Sequence, residues 1–214
     1  MPKISEEEQN KIRNMFEEKM TEEVNILFFE SDSGCDYCDD TKEILDEISS
    51  LHENINLSVY NIEDKEAEKY NIHGAPATVF LDAEKNDLGV YFFGIPSGYE
   101  FNTLIEDIID ISNMNPELSD EVISAAKEID EEVNLQVFIT PTCPYCPRSV
   151  RVAHQLAMVN PKIRGEMIEA IEFQELSNKY NVSGVPKTVI NQGKAEQVGA
   201  VPAKTIIDKI KEVI

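Results

Sequence analysis

Apolar residues fall along this chain in two alternating spacings. Ile12, Met15, Phe16 and Met20 recur at the interval of one helix face, and Ser5 with Glu8 offers a capping box where that helix starts. Val24 to Phe29 is then a short apolar run rich in β-branched and aromatic residues, which predicts a buried strand. Ile44, Leu45, Ile48 and Leu51 return to helical spacing. Leu57 to Ile62 predicts a strand, and Glu63 to Tyr70 a short helix. Thr78 to Leu81 and Val90 to Phe93 predict two strands across a charged turn, and Phe101, Leu104, Ile105, Ile108 and Ile109 a closing helix.

The same order then repeats. Leu118 to Ile129 predicts a helix, Val133 to Ile139 a strand, Cys143 to about Met158 a helix, and Met167 to Ile171 a strand. A short helix leads to Tyr180, strands follow at Thr188 to Ile190 and Gln197 to Ala200, and a last helix runs to Ile214. Each half reads α-β-α-β-α-β-β-α. This alternation implies an α/β fold in which each half is a mixed sheet with helices on both faces.

The repetition extends to individual residues. Cys35-Asp36-Tyr37-Cys38 recurs as Cys143-Pro144-Tyr145-Cys146 at an offset of 108. Tyr70-Asn71-Ile72-His73-Gly74-Ala75-Pro76 recurs as Tyr180-Asn181-Val182-Ser183-Gly184-Val185-Pro186 at an offset of 110. Gly94-Ile95-Pro96 returns loosely as Gly199-Ala200-Val201-Pro202. Shared landmarks in one order indicate a tandem duplication. The seam falls near Asn113 to Glu117, giving units of residues 1–115 and 116–214.

Composition narrows the function. Hydrophobic residues make up 42% of 214, enough for packed cores. A net charge of -22 argues against a nucleic-acid partner, which needs clustered Lys and Arg. The acids read as solvated helix faces; adaptation to a salty cytosol is the sharper alternative. The polar start, Met1-Pro2-Lys3-Ile4-Ser5-Glu6, does not read as a signal peptide, and no window resembles a membrane helix. The expected location is therefore cytoplasmic, where cysteines in a reducing milieu point to catalysis or metal binding.

Both cysteine pairs stand where a buried strand gives way to a helix. A helix N-terminus carries unpaired N–H groups and partial positive charge, which favour a thiolate at the first cysteine. The second cysteine, one turn on, is placed to resolve a mixed disulfide. Pro144 suits a first helical turn because it lacks an N–H. Two other uses stand beside this one: a purely structural disulfide in each pair, or one zinc ion held by all four sulfurs. Zinc ribbons space their pairs by roughly 15–20 residues, whereas 104 residues separate Cys38 from Cys143. Pro76 and Pro186 each open a strand at matched positions. They read either as ordinary strand-initiating prolines or as cis-prolines whose loop meets an extended substrate.

Thr140-Pro141-Thr142-Cys143-Pro144-Tyr145-Cys146-Pro147 resembles a glutaredoxin-type active site. With the blocks Gly89–Pro96, Val152–Ala157 and Glu169–Glu172, the whole chain resembles the protein disulfide oxidoreductases, or glutaredoxin-like proteins, of archaea and thermophilic bacteria. The resemblance implies two thioredoxin folds and dithiol–disulfide exchange on protein substrates. It also implies intracellular disulfide formation and a flavoprotein, thioredoxin-reductase-like electron donor, with no resident cofactor. On that resemblance Cys35 and Cys143 are nucleophiles, Cys38 and Cys146 resolving thiols, and Pro76 and Pro186 cis-prolines. The chain lacks thioredoxin's Trp before the first cysteine. Phe29 and Val137 stand where thioredoxin has its buried Asp. Glu30 and Glu169 are the candidate proton acceptors, each also readable as a strand carboxylate. Tyr145 and Arg148 complete the neighbourhood of the second pair. His154, eight residues past Cys146 and about 12 Å along a helix, reads as a packing residue, and His73 as a loop residue.

Three functions compete. Protein thiol–disulfide exchange leads, with glutathione-linked glutaredoxin activity as its variant. A metal or iron–sulfur carrier is the alternative from another class. A peroxide-reducing module needs a further cysteine, and all four already lie in the two pairs.

Overall fold

A computed structural model describes residues 3–214; Met1 and Pro2, which begin the polar N-terminus, lie outside the described residues. The first half runs α1 (Glu6–Lys19), β1 (Val24–Glu30), α2 (Cys38–Ser49), β2 (Ile55–Asn61), α3 (Lys65–Lys69), β3 (Ala77–Leu81), β4 (Asp87–Phe93) and α4 (Glu100–Asn113). The second runs α5 (Asp120–Lys127), β5 (Val133–Ile139), α6 (Cys146–Val159), β6 (Ile163–Glu169), α7 (Gln174–Lys179), β7 (Lys187–Ile190), β8 (Ala195–Val198) and α8 (Ala203–Lys211). The element order is the one the hydrophobic pattern predicts.

Several boundaries differ, each for a local reason. The Ser5–Glu8 capping box forms as expected, but α5 starts at Asp120 instead of Leu118, because Ser119 caps it by accepting from the Val122 N–H. Strand β6 lies four residues before its expected start. The Glu169 carboxylate accepts from the N–H groups of Ile171 and Glu172 and turns the chain there, leaving Ile171 exposed. Strand β8 ends at Val198, because Gly199 takes φ +81 and donates its N–H to the Pro186 carbonyl.

Each half contributes the expected mixed sheet, and the two join into one eight-stranded sheet, ordered β2-β1-β3-β4-β6-β5-β7-β8. In each half the first two strands pair in parallel and the hairpin that follows is antiparallel. The halves join through parallel β4–β6 pairing, Val90 opposite Gly165 and Phe93 opposite Ile168. Val90, Phe92 and Phe93 are fully buried at this seam, each contributing about 1.5–3 kcal/mol. Helices cover both faces. The larger core gathers α1, α2, α4, α5, α6 and α8. The smaller lies under α3 and α7 and is built from Phe29, Tyr70, Tyr91, Phe93, Phe138 and Tyr180. Among the described residues no helix is long and apolar enough to cross a membrane.

Candidate functional site

Each cysteine pair is closed on itself, Cys35 to Cys38 and Cys143 to Cys146, with 5.5 Å between Cα atoms in both. The four sulfurs thus form two local bridges and no shared four-sulfur cluster. Helices α2 and α6 begin at the second cysteine of each pair, not at the first as the sequence predicts. Cys143 donates its N–H to Thr140 O at 3.0 Å, and Cys146 to Cys143 O at 3.4 Å. These three-residue turns keep the first cysteine just ahead of the helix. Pro147 occupies the first helical turn, so Pro144 belongs to the turn before it.

The helix starts still bring partial positive charge to the second cysteine of each pair. The N-cap residues are Tyr37 and Tyr145, and neither makes a side-chain capping bond, unlike Ser5 and Ser119. Uncapped first-turn N–H groups are left to stabilise a neighbouring anion. Burial orders the two sulfurs within each pair. Cys35 is half-buried against 5% exposure for Cys38, and Cys143 is 8% exposed against none for Cys146. Tyr145 is 64% exposed, and Arg148 is exposed on the first turn of α6.

The Ala75–Pro76 and Val185–Pro186 peptide bonds are cis. Behind each proline the chain is tied to the next strand end: Gly94 donates to Pro76 O at 2.9 Å, and Gly199 to Pro186 O at 2.8 Å. Gly34, beside Cys35, and Ala75, before Pro76, line one open groove of about 1130 Å³ between the halves, on the α3/α7 face. Its floor is polar: Glu166 accepts from Gln136 at 2.8 Å and from Arg164 at 2.5 Å.

The two candidate carboxylates differ in their surroundings. Glu30 pairs with Lys42 at 2.9 Å at the end of β1. Glu169 is buried, burial pushes its pKa up, and its Oε1 has no partner. Two further acids escaped the sequence reading. Glu100 is wholly buried at the start of α4, where Oε2 accepts from Thr103 at 2.6 Å and Oε1 lacks a partner. Burial lifts it to about 7. It sits beside the loop leading to Cys143: Tyr99 donates its N–H to Pro141 O at 3.0 Å. Gly98, at φ +61, packs so closely that a Cβ would strike that same carbonyl. Glu172 is likewise lifted to about 7, mainly by burial. The one signal for Glu100 was its register, because Glu100, Leu104, Asp107, Ile108 and Ile111 share one helical stripe.

His154 and His73 are both held by packing. His154 is wholly buried, with Nδ1 2.6 Å from Asp107 and Nε2 3.2 Å from Tyr91 O. Arg151 bonds Asp107 and reaches Asp110 at 2.6 Å. This network ties α4 to α6 across the seam. His73 stacks on Phe93 at 3.9 Å, and burial lowers its pKa.

Residues 133–212 match the thioredoxin domain family. The protein disulfide oxidoreductase of Aeropyrum pernix superimposes with a TM-score of 0.88 and 30% identity, over 97% of this chain and 92% of that one. A variant of the alkyl hydroperoxide reductase AhpF from Enterococcus faecalis gives a TM-score of 0.88 at 27% identity, over 97% of this chain and 99% of the other. The alkyl hydroperoxide reductase F component of Staphylococcus aureus is 29% identical over 88% of this chain. The match spans about a third of that relative, 34% of its length.

Proposed function

Because the chain belongs to the protein disulfide oxidoreductase family, we propose that its two cysteine pairs are separate exchange centres acting on protein disulfides and dithiols. The chain is a thiol–disulfide oxidoreductase of tandem thioredoxin-like units. The observation that carries the reading is the matched placement of a disulfide, an uncapped helix start and a cis-proline loop in each half. The units are residues 1–115 and 116–214, and each holds one centre.

In each centre the outer thiolate, Cys35 or Cys143, attacks a substrate disulfide. One S–S bond forms, another breaks, and the first substrate sulfur leaves as a thiolate that takes up a proton. The inner thiol, Cys38 or Cys146, then loses its proton and attacks the mixed disulfide. The second substrate thiolate leaves, and two electrons have passed from the dithiol to the substrate. The backbone at Ala75–Pro76 and Val185–Pro186 lines up the substrate chain. A flavoprotein of the thioredoxin-reductase kind returns the centres to the dithiol state.

Insulin reduction driven by dithiothreitol tests the activity. Mapping iodoacetamide adducts of the reduced protein at mildly acidic pH tests the roles. Labelling should fall on Cys35 and Cys143; preferential labelling of Cys38 or Cys146 would reverse the assignment.

For the second centre the proton acceptor is Glu100. It is a buried carboxyl with a free oxygen, brought beside the 140–143 loop by Tyr99 and Gly98. A carboxyl lifted to about 7 stays protonated below that pH and accepts a proton above it. Resolution by Cys146 should therefore accelerate as pH rises through 7. Glu100→Gln should slow it and flatten that profile in single-turnover reduction of a mixed disulfide. An unchanged profile would rule Glu100 out.

A further inference from the structure

Glu172 belongs to the second unit but faces the first centre. Its Oε1 accepts the Ile95 N–H at 2.7 Å. The neighbouring Gly94 adopts φ +105, and a Cβ there would lie 2.5 Å from the Glu169 Cβ and 2.9 Å from the Glu172 Oε1. Only a glycine lets the loop rest against these two acids. From Gly94 the connection continues to the first centre, because its N–H holds the Pro76 carbonyl at 2.9 Å. Glu172 also lines the groove that Gly34 and Ala75 open into. At the second centre the corresponding glycine, Gly199, makes the same bond to Pro186, but a Cβ on it would meet nothing within 4 Å.

We infer that Glu172 is a positioning residue through which the second unit sets the thiolate affinity, and hence the redox poise, of the Cys35–Cys38 centre. The inference rests on reading that pair as an exchange centre. Two effects act together. The hydrogen bond to Ile95 fixes the strand end that carries the Pro76 loop. The carboxylate charge opposes a thiolate nearby, raising the Cys35 thiol pKa and making its disulfide less oxidising. The charge is itself conditional, because burial, Glu169 and Asp36 lift Glu172 to about 7. Below that pH Glu172 is neutral and the opposition falls away; above it the opposition is complete. The other charged groups lining the groove are His73, Glu166, Arg164, Glu175 and Lys179. Glu166 and Arg164 pair at 2.5 Å, and burial lowers the pKa of His73. Glu175 and Lys179 carry opposite charges, and the acids that act on Glu172 itself are Glu169 and Asp36.

The test uses the full chain with Cys143 and Cys146 replaced by serine, so that only the first centre titrates. Glu172→Gln keeps an acceptor for the Ile95 N–H and removes the charge; Glu172→Ala removes both. The readouts are the Cys35 alkylation rate against pH and redox equilibration with glutathione at pH 6 and pH 8. With Gln the alkylation midpoint should fall by about one pH unit. The centre should become more oxidising at pH 8 and change little at pH 6. The same substitution, placed with the Cys143–Cys146 centre alone, should leave that centre's midpoint in place. An unmoved Cys35 midpoint with Gln, or an equal shift in both centres, would overturn the inference. Failure of the parent first centre to exchange with insulin or glutathione at all would instead overturn the reading of Cys35–Cys38 as a redox centre.

Discussion

Serine at Cys143 and Cys146 is expected to cut insulin-disulfide reduction about tenfold, whereas serine at Cys35 and Cys38 should cost no more than about twofold. The asymmetry is electrostatic. Asp36 stands between the cysteines of the first pair, with Asp32, Asp39 and Asp40 nearby, and the first three are exposed. In the second pair Pro144 and Pro147 replace Asp36 and Asp39, and Arg148 replaces Asp40. The acids push the Cys35 thiol pKa up, and Arg148 favours the Cys143 thiolate. Lys3 offsets one acid by pairing with Asp40 at 2.6 Å, but Glu172 adds another from across the groove. More thiolate at Cys143 means faster attack, and a stabilised reduced form makes its disulfide the stronger oxidant. Raising ionic strength should narrow the gap, because most of these acids face water. If the protein keeping only Cys35 and Cys38 proves the faster and the more oxidising, the charge argument fails.

What the sequence revealed and what it hid follow from burial. Strands of near-continuous apolar residues, such as Val24 to Phe29 and Val133 to Ile139, stand out because both sheet faces are covered. The cysteine and proline landmarks repeat in register, so the duplication and both candidate centres were legible. The fusion of the sheets was not. Val90 to Phe93 reads as a buried strand whether its outer edge meets solvent or β6, since edge pairing uses backbone groups that carry no sequence mark. The buried acids of α4 were hidden for another reason. Glu and Asp are so seldom fully buried that Glu100 and Asp107 read as surface charges despite their place on the apolar stripe of α4. Glu172 could not be found from its own neighbours, because its contacts at Gly94 and Ile95 lie in the other half of the chain.

Asp107→Ala should destabilise the protein by about 3–5 kcal/mol, the largest stability loss expected for substitution of one charged residue. Asp107 is wholly buried and serves two partners at once, Arg151 and His154 Nδ1 at 2.6 Å. Its removal leaves the Arg151 guanidinium, only 12% exposed, with Asp110 at 2.6 Å and the mostly exposed Glu106 at 3.2 Å. It also strips His154 of its Nδ1 partner inside a core where water does not compensate. The cost falls at the seam, because Asp107 belongs to α4 and its partners to α6. Docking of the halves should therefore weaken more than either core. Urea unfolding followed by circular dichroism should show a lower midpoint, with the single transition broadening or splitting in two. Exchanging the set for apolar residues separates pairing from packing: Asp107→Leu with Arg151→Met and His154→Phe should recover much of the loss, since well-packed apolar groups replace buried ion pairs at little cost. A loss below about 1 kcal/mol for Asp107→Ala would mean that the β4–β6 ladder and its aromatic residues hold the halves together without the network.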